Sequence, residues 1–303
     1  MQAGVIGTGA MGRNHVRVYS ELKSVEGVHV FDVNAAAAKT IGNQHGATVH
    51  SSVDGFLNQV DAVSVCVPTQ YHAGTVRQVF DAGKSVLIEK PVCATAEEAH
   101  ELMRHAPEGV TVGVGHIERF NPVVAEIKKI IRKPLYAEMK RHNPASARVS
   151  GSSVVEDLMI HDIDILQNVF FPGPCGISSA GNDDVCSVLM TCGDVPVTIS
   201  ASRKSSKKIR MVYIEEDEFT IEGDFMSQEV MIYRKPGQYQ FENERYVQEN
   251  IIEKVMVNKL EPLKTELSTF IECARNGSPF PVTPEQAIRN LETCERIRAS
   301  FAR

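Results

Sequence analysis

The sequence predicts an α/β doubly wound parallel sheet followed by an α+β domain with a largely antiparallel, open sheet. Three observations carry this. A glycine-rich stretch, "AGVIGTGAMG", joins a β-branched run to a helical one at the start of the chain. Strand-like and helix-like runs then alternate through the first 120 residues. From about residue 184, strand-like runs succeed one another with no long helix between them.

The first strand holds Val5 and Ile6 and leads into Gly7, Gly9 and Gly12, which fit G-x-G-x-x-G, and a helix is expected over Ala10–Leu22. Each glycine has a task in such a turn. Gly7 makes the tight bend, Gly9 lets the backbone approach a pyrophosphate, and Gly12 lets helix and strand pack closely. Gly7, Thr8, Gly9, Ala10, Met11 and Gly12 together are the expected phosphate cradle, with unpaired N–H groups at the helix start. "GVHVFDV" reads as the second strand and reaches Asp32 twenty positions after Gly12. An acid there can accept hydrogen bonds from ribose hydroxyls. Val33 and Asn34 follow, with no adjacent arginine, and a carboxylate would repel a 2′-phosphate. NAD is therefore expected in preference to NADP.

Further strands are expected at 48–50, 61–67, 85–89 and 111–115, with helices between them such as 72–82 before Gly83; the Ala35–Ala38 run should also be helix. In parallel sheets of this kind ligands bind beyond the carboxyl ends of the strands. That rule selects Pro68, Thr69 and His72, then Lys90 directly after Glu89, then His116. Lys90 stands out because Pro91 favours an extended conformation at the residue before it. An ammonium held beside a nicotinamide could bind a substrate hydroxyl; the plainer reading is a surface lysine at a strand end.

From residue 117 the rhythm changes. A strand is expected at 135–143 and a mobile loop at 145–153 ("ASARVSGSS"). A helix follows and runs to about Phe170. It carries Asp157, His161 and Asp164 at i, i+4 and i+7, which share one face of an otherwise apolar element. Strands at 184–192, 195–203, 209–215, 218–223 and 228–234 precede helices at 261–276 and 284–302, the last opened by Pro284. The expected division is a dinucleotide domain over 1–120 and a substrate-binding and oligomerisation domain over 121–303, whose last helix is able to pack back on the first. The basic run "RKSSKKIR" (203–210) could meet an anionic substrate group or form a solvated turn.

Composition narrows the classes. The formal charge of −6 argues against a general nucleic-acid or membrane-surface binder. No apolar run approaches the ~20 residues of a membrane span, and strand-like sequence from Ala3 leaves no room for a signal peptide. Seven scattered cysteines without a CxxC pair fit reduced thiols and a cytoplasmic protein, not a disulfide framework or a zinc site.

On "GVIGTGAMGRNH", "VCVPTQYH", "EKP" (Glu89–Pro91), "GHIERFNP" (Gly115–Pro122) and "DLMIHDID" (Asp157–Asp164), the chain resembles the Gfo/Idh/MocA family of NAD(P)-dependent sugar oxidoreductases along almost its whole length. The resemblance implies a Rossmann domain and an α+β domain whose open sheet makes oligomer contacts, with a homodimer or homotetramer as the expected assembly. It implies NAD over Gly7–Gly12 with Asp32 on its ribose, Lys90 as the catalytic lysine, and Asp157 with His161 as the D-x-x-x-H pair. His161 would be the general base, its intrinsic pKa lying near the working pH. Asp157 would orient it, and Lys90 would favour negative charge developing on oxygen. Asp164 would bind substrate or shape the pocket. "GHIERFNP" with "DLMIHDID" looks most like the branch that oxidises the 3-hydroxyl of UDP-N-acetylglucosamine. His116, Glu118, Arg119 and Asn121 would then lie near substrate or nicotinamide, with Arg119 equally open to a structural ion pair. The chain departs from the commoner pattern in having Ser150-Gly151-Ser152-Ser153 in place of a glycine-rich run and no tryptophan.

Three alternatives stay open. Asp157, His161 and Asp164 could ligate a divalent metal, although Lys90 in the same pocket would repel it and no metal is expected. The chain could be a non-catalytic dinucleotide sensor, which would have no use for Lys90 and the His161–Asp157 pair together. Or the substrate could be inositol, a simple sugar or a dihydrodiol.

Overall fold

The computed structural model describes residues 1–144, 152–235, 239–242, 245–248 and 251–301. Most of the loop expected at 145–153, including Ser150 and Gly151, lies outside the described residues. In chain order the elements are β1 (Gln2–Ile6), α1 (Ala10–Glu21), β2 (Gly27–Phe31), α2 (Ala35–His45), β3 (Thr48–Val49), α3 (Val53–Leu57), β4 (Ala62–Val65), α4 (His72–Asp81), β5 (Ser85–Glu89), α5 (Ala96–Met103) and β6 (Val112–Gly115). After them come α6 (Pro122–Ile130), β7 (Tyr136–His142), α7 (Ile160–Ile165), β8 (Cys175–Gly181), β9 (Val185–Cys192), β10 (Val195–Ser202), β11 (Ile209–Glu215), β12 (Phe219–Asp224), β13 (Glu229–Arg234), β14 (Tyr239–Glu242), β15 (Arg245–Gln248) and β16 (Ile252–Lys254). Helices α8 (Pro262–Asn276) and α9 (Pro284–Arg298) close the chain.

The chain divides into two compact units, Met1–Phe120 with Glu261–Glu292, and Asn121–Leu260 with Thr293–Arg303. The first unit is built on a six-stranded sheet in the order β3-β2-β1-β4-β5-β6, every neighbouring pair parallel. Strands β4 ("AVSV") and β5 ("SVLIE") are buried at every position, as strands covered on both faces must be. Because all six run the same way, the residues after β1, β2, β4, β5 and β6 emerge at one edge. Helix α2 is capped by Asn34, whose side chain accepts the Ala36 and Ala37 N–H groups, and closed by left-handed Gly46.

The second unit holds an eight-stranded sheet, β16-β13-β12-β11-β7-β10-β9-β8, antiparallel except for the β7–β10 pair. The exception follows from the helical segment and two strands inserted between β7 and β10, which return the chain in the same direction. Strand β9 alternates exposed and buried residues, as a strand covered on one face does. Its inward side chains, Cys186, Val188 and Met190, join Val123 and Ile127 of α6 and Met159 and Ile163 in one buried cluster.

One expectation is overturned. Cys175 and Cys192 form a disulfide, leaving five free cysteines. They face each other directly in the β8–β9 register, with Cα atoms 4.4 Å apart although 17 residues separate them in sequence. Among the described residues no helix is long and apolar enough to cross a membrane.

Candidate active site

Residues singled out in the sequence fall in both units. In the first unit the glycine turn has the geometry a dinucleotide needs. Gly7 sits at φ +91°, and a Cβ there would lie 2.8 Å from the Cys66 carbonyl. A Cβ on Gly12 would collide with the Gly7 carbonyl oxygen, so this glycine holds helix against turn. Gly9 differs: a Cβ would meet nothing of the chain within 4 Å. No internal packing demands glycine at that position, whereas a pyrophosphate pressed against the backbone would. The residues present fit a dinucleotide.

Asp32 follows β2 and turns back to the glycine turn. Its Oδ2 accepts from the Thr8 N–H (2.6 Å) and Thr8 hydroxyl (2.8 Å), and its Oδ1 from the Asn34 N–H (2.8 Å). Burial pushes its carboxyl up, but these three hydrogen bonds prevail and hold it below the ordinary carboxylate range. The carboxylate is therefore charged, and Oδ1 keeps acceptor capacity for a ribose hydroxyl.

At the end of β5, Glu89 is buried and accepts from the Lys90 N–H through Oε2 (3.2 Å) and pairs with His15 Nε2 through Oε1 (2.9 Å). Lys90 is half-buried, and its peptide bond to Pro91 is cis. His72 is buried, with Nε2 on the Val67 carbonyl (2.9 Å) and Nδ1 on that of Pro91 (3.0 Å). It ties the loop after β4, with Pro68 and Thr69, to the loop carrying Lys90. His116 is also buried, its Nε2 3.5 Å from Asn290 Nδ2 in α9. Glu118 is buried too, while half-buried Arg119 donates to Gln286 (3.4 Å).

In the second unit π-helical turns, Val155–Met159 and Leu166–Phe170, flank α7. Such turns occur frequently at functional sites. Asp157 and His161 are half-buried and Asp164 is buried, accepting from Asn168 (3.1 Å). Two partners of this helix escaped the sequence reading. Arg141 of β7 donates twice to Asp162 Oδ1 (2.9 and 2.6 Å), both residues only 1% exposed, and lies 5.6 Å over the Phe225 ring. This pair fixes how α7 is rotated on the sheet. Arg203, first residue of the basic run, is buried with a guanidinium nitrogen 3.8 Å from Asp157 Oδ2 and a hydrogen bond to the Ser152 carbonyl (3.0 Å). Another of its guanidinium nitrogens is 3.8 Å from Asp184 Oδ1, while Lys204, Lys207 and Lys208 of the same run are exposed, as in a solvated turn. Asn121, expected near substrate, spends its amide on the scaffold: Oδ1 caps α6 at the Val123 N–H (3.2 Å) and Nδ2 donates to the Phe225 carbonyl (3.0 Å). Among the described residues no three His, Cys, Asp or Glu side chains are grouped to hold a metal ion.

Comparison with known proteins adds to this geometry. The GFO_IDH_MocA model, described as an oxidoreductase family with an NAD-binding Rossmann fold, matches residues 1–116. The chain is similar to UDP-N-acetylglucosamine 3-dehydrogenase of Acidithiobacillus ferrooxidans, 31% identical over 78% of this chain and 77% of that one. A solved structure of that enzyme aligns over 99% of this chain and 97% of the other, with TM-score 0.87 and 27% identity. Inositol 2-dehydrogenase 2 of Saccharopolyspora erythraea is 32% identical, over 54% of this chain and 52% of its own length. Levoglucosan dehydrogenase, solved with NADH and levoglucosan, shares the fold (TM-score 0.84, 17% identity, 100% and 97% covered).

Proposed function

This chain belongs to the Gfo/Idh/MocA family of NAD(P)-dependent oxidoreductases, and from that premise we propose that it oxidises the 3-hydroxyl of UDP-N-acetylglucosamine to the 3-keto sugar. The observation that carries this reading is the 31% identity to a 3-dehydrogenase of that nucleotide sugar over most of both chains.

The cofactor is NAD, which accepts hydride at its nicotinamide when bound. The glycine turn Gly7–Gly12 and helix α1 hold its pyrophosphate, and charged Asp32 selects its ribose against a 2′-phosphate. Pro68, Thr69 and Glu89 complete the cofactor's surroundings, with His72 bracing them. His161 takes the proton from the substrate hydroxyl oxygen as hydride leaves the carbon that bears it. Asp157, held by Arg203, orients and stabilises the charged imidazole. Lys90 donates to the same hydroxyl oxygen and offsets its developing negative charge. Asp164 shapes the substrate pocket and Arg119 meets an anionic group of the substrate.

We place the reaction in the cytoplasm, where nicotinamide nucleotides are supplied. The assembly is a homodimer or homotetramer joined through the uncovered face of the eight-stranded sheet, where Val185 and Leu189 are 40% and 49% exposed. The test is absorbance at the NADH band with NAD and UDP-N-acetylglucosamine, its uronic acid, free N-acetylglucosamine, glucose and inositol. NADH with the UDP-sugar alone supports the proposal; turnover with only inositol or a free sugar replaces the substrate and keeps the chemistry.

A further inference from the structure

Glu89 and His15 are buried polar groups for which hydride transfer itself has no use. His15 is 0% exposed and Glu89 7%. His15 projects from α1, the helix that begins at the glycine turn, and Glu89 ends β5 immediately before Lys90. Their contact, Nε2 to Oε1 at 2.9 Å, joins elements 74 residues apart in sequence. Among the described residues His15 Nδ1 meets no hydrogen-bond partner. A proton on Nε2 donates to Glu89. The carboxylate's other oxygen accepts from the Lys90 N–H (3.2 Å). Gly115 makes room for it, since a Cβ there would lie 3.2 Å from Oε1.

We propose that the buried His15–Glu89 pair is a positioning device, which plants one fixed negative charge against Lys90, keeps Lys90 an ammonium donor instead of a free base, and ties its placement to the helix of the glycine turn. This deepens the functional reading above and rests on it for the role of Lys90. The titratable groups around Glu89 come from four elements: His15 and Tyr19 from α1, Cys66 after β4, Lys90 after β5, and Glu266 from α8. Burial pushes the Glu89 carboxyl up, but the hydrogen bond and electrostatic attraction of His15, followed by the Lys90 charge and N–H, outweigh it, so the carboxylate stays ionised. Burial, together with Glu89 and Glu266, pushes the Cys66 thiol well up, and burial raises the Tyr19 hydroxyl, so both stay neutral. An ammonium at Lys90 leaves proton abstraction to His161.

The test is competitive acetylation of the full-length protein with acetic anhydride across pH, the Lys90 peptide being read by mass spectrometry. In the unmodified chain Lys90 should label with a midpoint above that of exposed Lys39. In Glu89→Gln the midpoint should fall by about one pH unit or more, as expected on losing a neighbouring carboxylate. His15→Asn should shift it the same way, because the buried carboxylate then takes up a proton. Glu89→Asp, which keeps the charge, should restore most of the midpoint. A Lys90 midpoint at or below that of Lys39, or one unmoved in Glu89→Gln, overturns the proposal; the first comparison needs no variant to fold. NADH formation is read on the same samples. A shift of the Lys90 midpoint without turnover of any alcohol sinks the dehydrogenase reading and leaves the positioning pair standing.

Discussion

Lys90 and Asp32 separate chemistry from binding within one unit. Lys90→Ala should lower kcat by roughly 100- to 1,000-fold, as loss of one donor to a developing oxyanion does, with NAD affinity by calorimetry unchanged. Loss of NAD affinity in step with turnover would deny Lys90 a part in the chemical step. Asp32 makes a second prediction. Its folded pKa is depressed, so its stabilising contribution is present above the ordinary carboxylate range and is lost as pH falls through the folded value. Urea unfolding of Asp32→Asn should therefore lose part of the fall in stability that the unmodified chain shows below about pH 4. At this scale the sequence was legible where a rule names an atom's task, as at Gly7 and Gly12. It was less so at His72, because the rule that ligands bind beyond strand ends locates a residue and not the direction of its side chain, and at Asn121, which only the family resemblance set near substrate. His72 turns to backbone carbonyls and Asn121 to a helix start.

The elements that carry the site are held by pairs invisible in local sequence. Arg141 and Asp162 are 21 residues apart and meet only because β7 packs under α7. Removing one partner of such a buried pair costs about 3–5 kcal/mol. Asp162→Ala should lose stability on that scale in denaturant unfolding, and a loss below about 1 kcal/mol would place the pair in solvent. The glycine turn divides two roles that its motif merges. Gly9→Ala should fold like the parent chain and lose NAD affinity, whereas Gly12→Ala should be destabilised even without cofactor, because its Cβ collides with Gly7. Circular dichroism melts with and without NAD check both. Most strands were legible to within a residue or two because their apolar runs are long. Strand β8, "CGISSAG", was not, being small and polar at an edge, and its disulfide to β9 was lost with it. The π-helical turns around α7 leave the i, i+4 stripe recognisable in sequence while changing the local hydrogen bonding.

On the scale of the molecule, the eight-stranded sheet buries one face in its own unit and leaves the other, with Leu189 and Val185, to solvent or to a second copy. Light scattering should report a dimer or tetramer. Leu189→Glu should lower that state, because an assembly through this face would bury the new charge. A monomeric parent chain would remove the assembly from the account. The central claim is hydride transfer from one carbon of a nucleotide sugar, and UDP-N-acetylglucosamine deuterated at carbon 3, incubated with NAD, tests it most directly. The account predicts that the NADH formed carries the deuterium at nicotinamide carbon 4 and that the sugar product is the 3-ketone. NADH without deuterium, or none from this substrate, would contradict it.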